Sequence, residues 1–163
     1  MSKTYNVLFL CTANSARSIM AEGLLNKLGQ GRFRGFSAGS HPGGKVNPFA
    51  IEMLQRAQCP VNELRSKDWD EFANPDSPKM DIIITVCDNA AGEVCPVWPG
   101  HPATAHWGYP DPAAAEGDDN AKRDAFAHVF EQIRFRIQML VNLPVDKLDH
   151  LALSTELKSI AKA

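Results

Sequence analysis

Two kinds of hydrophobic pattern alternate along this chain. Short, mostly apolar runs predict strands covered on both faces at Tyr5–Leu10, Arg32–Ala38 and Asp81–Cys87. Apolar residues at helical spacing predict helices over Ser18–Leu28, from Pro48 behind the capping residue Asn47, over Glu116–Leu143 and over Leu148–Ile160. Repeated prolines predict an ordered but irregular loop over residues 95–115.

This alternation of strands and helices predicts a parallel sheet with helices on both faces, which is a three-layer α/β fold. A length of 163 residues fits one domain, residues 1–163, with a core over about residues 5–142 and a helical extension over about residues 145–163. In such a sheet, ligands bind beyond the carboxyl ends of the strands. Cys11 and Cys87 each lie at the end of a predicted strand, so we expect the chemistry at this edge.

Composition narrows the classes of function. The net charge of −2 and the pI near 6.2 favour neither nucleic acid nor an anionic membrane as a partner. The longest apolar runs are too short to span a membrane, and the first residues do not resemble a signal peptide, so we expect a cytoplasmic protein. In that compartment the four cysteines are expected to be reactive or buried thiols rather than a structural disulfide set.

The segment Cys11–Ser18 carries the strongest chemical signal. A thiol at a strand end, an arginine and a helix start together stabilise a thiolate and bind a tetrahedral oxyanion. We expect the loop residues to bind substrate through an anion nest of backbone amides, with the Arg17 fork adding two donors; these residues are Thr12, Ala13, Asn14, Ser15, Ala16, Arg17 and Ser18. Asn14 is suited to a left-handed turn, and the Ser18 hydroxyl is a candidate donor to the Cys11 sulfur. A cysteine and an arginine at this spacing also occur by chance, but the preceding strand, Ser18 and the following helix favour function.

The run from Val7 to Glu22 resembles the nucleophile loop of the low-molecular-weight protein tyrosine phosphatases, and it resembles even more the arsenate reductases built on that fold. Ser37-Ala38-Gly39 and Asp111-Pro112 match in the same order, so the resemblance covers roughly residues 5–142. It implies a parallel four-stranded sheet, a Cys11 nucleophile and a substrate that is arsenate or another small oxyanion.

Two further cysteines resemble the relay of the three-cysteine arsenate reductases. Cys87 matches the first resolving cysteine, and Cys95, followed by Pro96, matches the last. The resemblance implies a disulfide that moves from Cys11–Cys87 to Cys87–Cys95, no metal or organic cofactor, and an external thiol reductant. The segment between these two cysteines is about one residue longer than in the best-known thioredoxin-linked members, and Ala16 stands where some members have cysteine. The electron donor therefore stays open between thioredoxin, glutaredoxin with glutathione, and another reductant.

Asp111 is the candidate general acid, because a departing oxygen needs a proton and a neighbouring anion favours the protonated carboxyl. Without the resemblance, Asp-Pro would be an ordinary turn. The residues after this pair are Ala113-Ala114-Ala115, whereas phosphatases of this family that accept tyrosine phosphate usually carry aromatic residues there. This difference favours an inorganic ion over an aryl phosphate, and phosphate monoester hydrolysis remains the alternative activity.

A zinc or metalloid-binding protein is the alternative of another class. Cys87, Cys95, His101 and His106 are suitable ligand types, but their spacings are wider than those of usual zinc sites, so we expect no metal. Cys59 matches nothing in the family and is expected to be structural. Glu22 is expected to support the loop, although a solvated helix face would also explain it.

Overall fold

The computed structural model describes residues 3–86 and 102–163. Within these ranges, one sheet contains four strands in the order β2-β1-β3-β4, and all neighbouring pairs are parallel. The strands are β1 (Tyr5–Cys11), β2 (Phe33–Gly39), β3 (Ile82–Thr85) and β4 (Ala103–His106). The expected parallel four-stranded α/β sheet is therefore confirmed.

The helices follow local capping signals in the sequence. They are α1 (Arg17–Leu28), α2 (Pro48–Arg56), α3 (Asp70–Ala73), α4 (Asp119–Val141) and α5 (His150–Ile160), with 3₁₀ turns at Pro112–Ala114 and Val145–Lys147. Asn47 caps α2 by accepting from the Phe49 amide, and Pro48 occupies the first helical position. Asp118 and Asp149 cap α4 and α5 in the same way.

Alternation along β1 divides the core into two layers. Val7 and Phe9 lie in the larger cluster, which also contains buried side chains of α1, α2, α4 and α5. Leu8 and Leu10 lie in a smaller cluster on the opposite face, with Phe72 of α3. Within the described residues the two faces of the sheet are thus covered unequally.

Two predicted elements were wrong in part. Of the irregular loop expected over residues 95–115, residues 95–101 lie outside the described residues, and the described part contains β4. The Ala-Thr-Ala-His sequence of β4 gives little strand signal, and this strand is ordered by pairing with β3. The strand expected over Asp81–Cys87 is shorter, because β3 ends at Thr85.

The described residues include no helix that combines the length and the apolar character needed to cross a lipid bilayer.

Candidate active site

Cys11 and Arg17 lie at the two ends of one tight loop. Cys11 is the last residue of β1 and is 5% exposed, and Arg17 is the first residue of α1. Because β1 lies between β2 and β3, the loop sits at the centre of the carboxyl edge of the sheet. This is the position at which parallel sheets bind ligands.

Backbone carbonyls of the loop accept hydrogen bonds from backbone amides outside it. Those of residues 11, 12, 13 and 15 accept hydrogen bonds from the amides of residues 40, 41, 43 and 47, at 3.3, 2.9, 3.2 and 2.8 Å respectively. In a trans peptide the carbonyl and the next amide point in opposite directions. The amides of residues 12, 13, 14 and 16 are therefore turned away from this surrounding backbone, as in an anion nest.

The start of α1 adds further donors. Its N-cap is Ala16, which has no side-chain oxygen to accept from the first-turn amides, and the first turn contains no acidic residue. A helix N-terminus without a capping side chain or a carboxylate leaves its amides and its positive dipole end available to an anion. Together with the loop amides, this gives the loop a positive character that does not depend on net charge.

Asn14 fixes the turn of the loop, as the sequence predicts. Its φ is 49°, in the left-handed region, and its side chain is completely buried. Nδ2 donates to Ser18 Oγ at 2.8 Å, and Oδ1 accepts from the Lys67 amide at 2.9 Å. Ser18, also completely buried, is thus engaged with the loop from the first turn of α1.

Arg17 reaches across to the segment that follows β4. Its Nη1 donates to the Tyr109 carbonyl at 2.9 Å, and its Nη2 lies 3.9 Å from Asp111 Oδ2. The Asp111 carboxylate also accepts from the Ala113 amide at 3.0 Å, which caps the short 3₁₀ turn. The structure therefore brings Asp111 beside the loop, with its side chain 47% exposed to solvent.

A buried ion pair lies behind the loop, and sequence reasoning found only half of it. Glu22 Oε1 accepts from Ser37 Oγ at 2.5 Å and lies 3.6 Å from Lys67 Nζ. Burial raises the pKa of Glu22 while Lys67 opposes the rise, and burial lowers the pKa of Lys67. Lys67 was missed because its neighbours Arg65 and Asp68 are also charged, a pattern typical of a solvated surface. The backbone amide of Lys67 holds Asn14, so this pair supports the loop from behind.

Gly39 allows the end of β2 to approach the loop. A Cβ atom built at this position would lie 2.4 Å from the Thr12 carbonyl oxygen and 3.0 Å from the Asn14 nitrogen. Any side chain would therefore push the loop away from the strand. This close approach explains a glycine in the Ser37-Ala38-Gly39 segment.

The other three cysteines and the two candidate metal-ligating histidines divide into those that lie outside the described residues and those that lie within them. Cys87, Cys95 and His101 lie outside the described residues. His106 is described, and its Nδ1 lies 2.7 Å from Thr85 Oγ1. Cys59 is buried at 4% exposure in a different part of the molecule, beside Lys27 and Arg134.

This loop geometry agrees with comparisons to known proteins. The family model of low molecular weight phosphotyrosine protein phosphatases matches residues 6–152. The chain belongs to this family. The expected resemblance is thereby confirmed, and the match extends slightly beyond the expected core.

The relatives within this phosphatase family include proteins named arsenate reductase. One from Halalkalibacterium halodurans is 38% identical over 81% of this chain and 91% of its own length. Another from Bacillus licheniformis is 38% identical over 85% of this chain and 95% of its own length. The crystal structure of an arsenate reductase from Archaeoglobus fulgidus superposes with a TM-score of 0.66 at 28% identity, covering 84% of this chain and 99% of that one.

Proposed function

We propose that this protein is an arsenate reductase in which Cys11 is the nucleophile. The observation that carries the proposal is the loop itself: a buried thiol at the carboxyl end of β1, amides turned away from the surrounding backbone, and Arg17 beside Asp111. Residues 12–18 bind the arsenate dianion through their amides and the Arg17 guanidinium. Relatives of the same family that carry the arsenate reductase name support this assignment over other members of the fold.

In the first step, the Cys11 thiolate attacks arsenic and displaces one oxygen. Asp111 delivers a proton so that the oxygen leaves as water, and Arg17 stabilises the charge on the remaining oxygens. The product is a thiol ester of arsenic(V) on Cys11. The 3.9 Å separation between Arg17 Nη2 and Asp111 Oδ2 supports these roles, because both groups could reach one bound oxyanion.

In the second step, the Cys87 thiolate attacks the Cys11 sulfur. The sulfur–arsenic bond breaks, and its electron pair reduces arsenic(V) to arsenic(III), which leaves as arsenite. The two sulfurs are oxidised to a Cys11–Cys87 disulfide. Cys95 then attacks Cys87, releases Cys11 as a thiolate and leaves a Cys87–Cys95 disulfide for an external reductant.

The reductant is a cellular thiol system, and thioredoxin is the first candidate. A Corynebacterium glutamicum relative, 26% identical with a TM-score of 0.61, is described as a thioredoxin-dependent arsenate reductase. Glutaredoxin with glutathione is the other candidate, because Ala16 and the longer Cys87–Cys95 segment differ from the best-known thioredoxin-linked members. The chemistry requires no metal or organic cofactor, and the proposed compartment is the cytoplasm.

Phosphate monoester hydrolysis is the second candidate, because the family model is that of a phosphatase. Both reactions begin with the same attack by Cys11. They differ in the nucleophile that then attacks the Cys11 adduct, which is water in a phosphatase and a thiol in a reductase. The small residues Ala113, Ala114 and Ala115 offer no aromatic surface for an aryl ester, so phosphatase activity is expected to be residual.

Arsenite release by wild type, Cys87→Ser and Cys95→Ser tests the proposal, with thioredoxin or glutaredoxin–glutathione supplied to each protein. We expect Cys87→Ser to lose turnover and Cys95→Ser to stop after about one turnover, because its first disulfide is not passed on. Cys59→Ser is the matched control, since Cys59 lies away from the loop, and it should keep wild-type turnover. Equal turnover in all four proteins would exclude the relay, and efficient hydrolysis of aryl phosphate without arsenite release would favour the phosphatase.

A further inference from the structure

The last helix, α5, packs against edge strand β4 and the residues directly after it. Leu153, Leu157 and Ile160 of α5 are buried in the larger core cluster. Trp107, the first residue after β4, is 1% exposed and donates its indole N–H to the Leu157 carbonyl at 2.9 Å. The helix is therefore fixed to the segment that leads from the sheet to Asp111.

Arg136 of α4 makes a second connection between α5 and this segment. Its Nη2 donates to the carbonyl oxygens of Ala161 and Ala163 at 3.0 and 3.4 Å, and its Nη1 donates to the Gly108 carbonyl at 3.2 Å. Its guanidinium also lies 4.8 Å from the centre of the Tyr109 ring. A cation is favoured at the carbonyl end of a helix, and only the planar fork of arginine can serve both groups of acceptors.

Gly108 and Tyr109 connect Arg136 to Arg17 in the oxyanion loop, by which we mean residues 11–18. The Tyr109 amide donates to the Val86 carbonyl at 3.3 Å, and the Tyr109 carbonyl accepts from Arg17 at 2.9 Å. The buried phenol of Tyr109 lies beside the Arg136 guanidinium, which also lies over its ring. The position of Tyr109 therefore depends on its backbone and on Arg136.

We propose that Arg136, held by the end of α5, is a positioning residue for Arg17. The contacts run from α5 to Arg136, then to Gly108 and Tyr109, and then to the guanidinium that binds the oxyanion. Arginine has many rotamers, and a Tyr109 carbonyl in a fixed position orders the Arg17 side chain before substrate binds. Arg17 therefore loses less side-chain entropy on binding. The inference rests on the proposed function for its substrate. It assigns a role to the end of α5, which lies beyond the family match at residue 152.

The test compares Arg136→Gln with Arg136→Lys and uses inorganic phosphate as the oxyanion probe. In Arg136→Gln we expect the phosphate Kd, from calorimetry, and the arsenate KM to rise about tenfold together, with a smaller change in kcat. Arg136→Lys should recover part of the affinity, because an ammonium still donates to one acceptor group. A chain that ends after Ile160 removes the two carbonyl acceptors but keeps α5, and should weaken phosphate binding about threefold.

Arg134→Gln is the matched control, since Arg134 lies on the same helix and pairs with Glu131 at 3.7 Å. It should leave both constants unchanged. A folded Arg136→Gln protein with a lower Tm but unchanged phosphate Kd and arsenate KM would overturn the proposal. If Arg136→Gln does not fold, unchanged phosphate affinity in the chain ending after Ile160 would overturn it equally. A wild-type protein that binds phosphate but releases no arsenite would refute the proposed function, while phosphate titration of the variants would still decide the role of Arg136.

Discussion

Asn14 is the residue whose removal should damage the oxyanion loop most directly. Asn14→Ala deletes the hydrogen bonds to Ser18 and to the Lys67 amide, both inside a completely buried environment. It also places alanine at a φ of 49°, where a Cβ is unfavourable and the asparagine side chain is tolerated. Three separate penalties therefore act at one position.

The size of the effect can be worked from these penalties. A buried amide without a partner costs about 1–3 kcal/mol, the lost bond to Ser18 about 1 kcal/mol, and the left-handed backbone about 1–2 kcal/mol. We expect the free energy of unfolding to fall by about 4 kcal/mol, equivalent to a Tm lower by about 10 °C in a chain of this length. Phosphate affinity should fall as well, because the amides that are proposed to bind the anion depend on the same turn.

Urea unfolding and phosphate calorimetry on two companion variants separate the contributions. Asn14→Gly loses the same hydrogen bonds without the backbone penalty, so it should be about 1 kcal/mol more stable than Asn14→Ala. Asn14→Asp keeps an acceptor for the Lys67 amide, but its charge should weaken phosphate binding more than its stability loss suggests. If Asn14→Ala and Asn14→Gly each lost less than about 1 kcal/mol, the loop would be held by its neighbours' backbone bonds and not by this side chain.

Three further variants test the surroundings of the loop. Lys67→Met should lower the free energy of unfolding by about 3 kcal/mol at pH 8 and by less at pH 5 in urea titrations. The folded-state pKa of Glu22 lies above its ordinary value, so the contribution of Glu22 to stability falls as pH rises from the ordinary pKa through the folded-state pKa. Removing the lysine raises the pKa of Glu22 further, which increases the loss of stability at pH 8. An equal loss at both pH values would contradict this. Gly39→Ala should cost about 2–3 kcal/mol because its Cβ would meet a loop carbonyl, whereas Gly43→Ala, with open space around it, should be nearly neutral in the same titration. Asp111→Asn should slow arsenite release about 100-fold while phosphate affinity changes little, and a wild-type rate would remove this residue as the acid.

The sequence predicts the oxyanion loop well because its chemistry is local. Cys11, the turn residue Asn14 and Arg17 fall within seven consecutive positions, at the junction of a strand and a helix that have clear patterns of their own. The left-handed backbone at Asn14 could be expected from the same segment, since asparagine is one of the few residues that tolerate it.

The support behind the loop could not be predicted in the same way. Lys67 lies 53 positions from Asn14, and its burial results from the packing of the segment around it against Glu22 and the end of β2. A lysine among charged neighbours gives no sign that it is buried against a carboxylate. The residue type predicts only the average exposure of a lysine and does not identify a partner distant in sequence. The short strand β4 was missed for a related reason: its residues become a strand through pairing with β3 and not through their own propensity.

The loop alone does not decide between hydrolysis and reduction, because in the proposed mechanism both reactions begin with attack by the Cys11 sulfur on an oxyanion. The fate of that adduct depends on which nucleophile reaches it first. Asp111, the proposed acid, is half exposed, so water has access to it, and a phosphatase would need that access. A reductase needs a second thiolate to attack sulfur before water attacks arsenic. We therefore expect the choice between reduction and hydrolysis in this protein to depend on the position of the Cys87 sulfur relative to Cys11, and on how fast it attacks, more than on the proposed anion-binding loop.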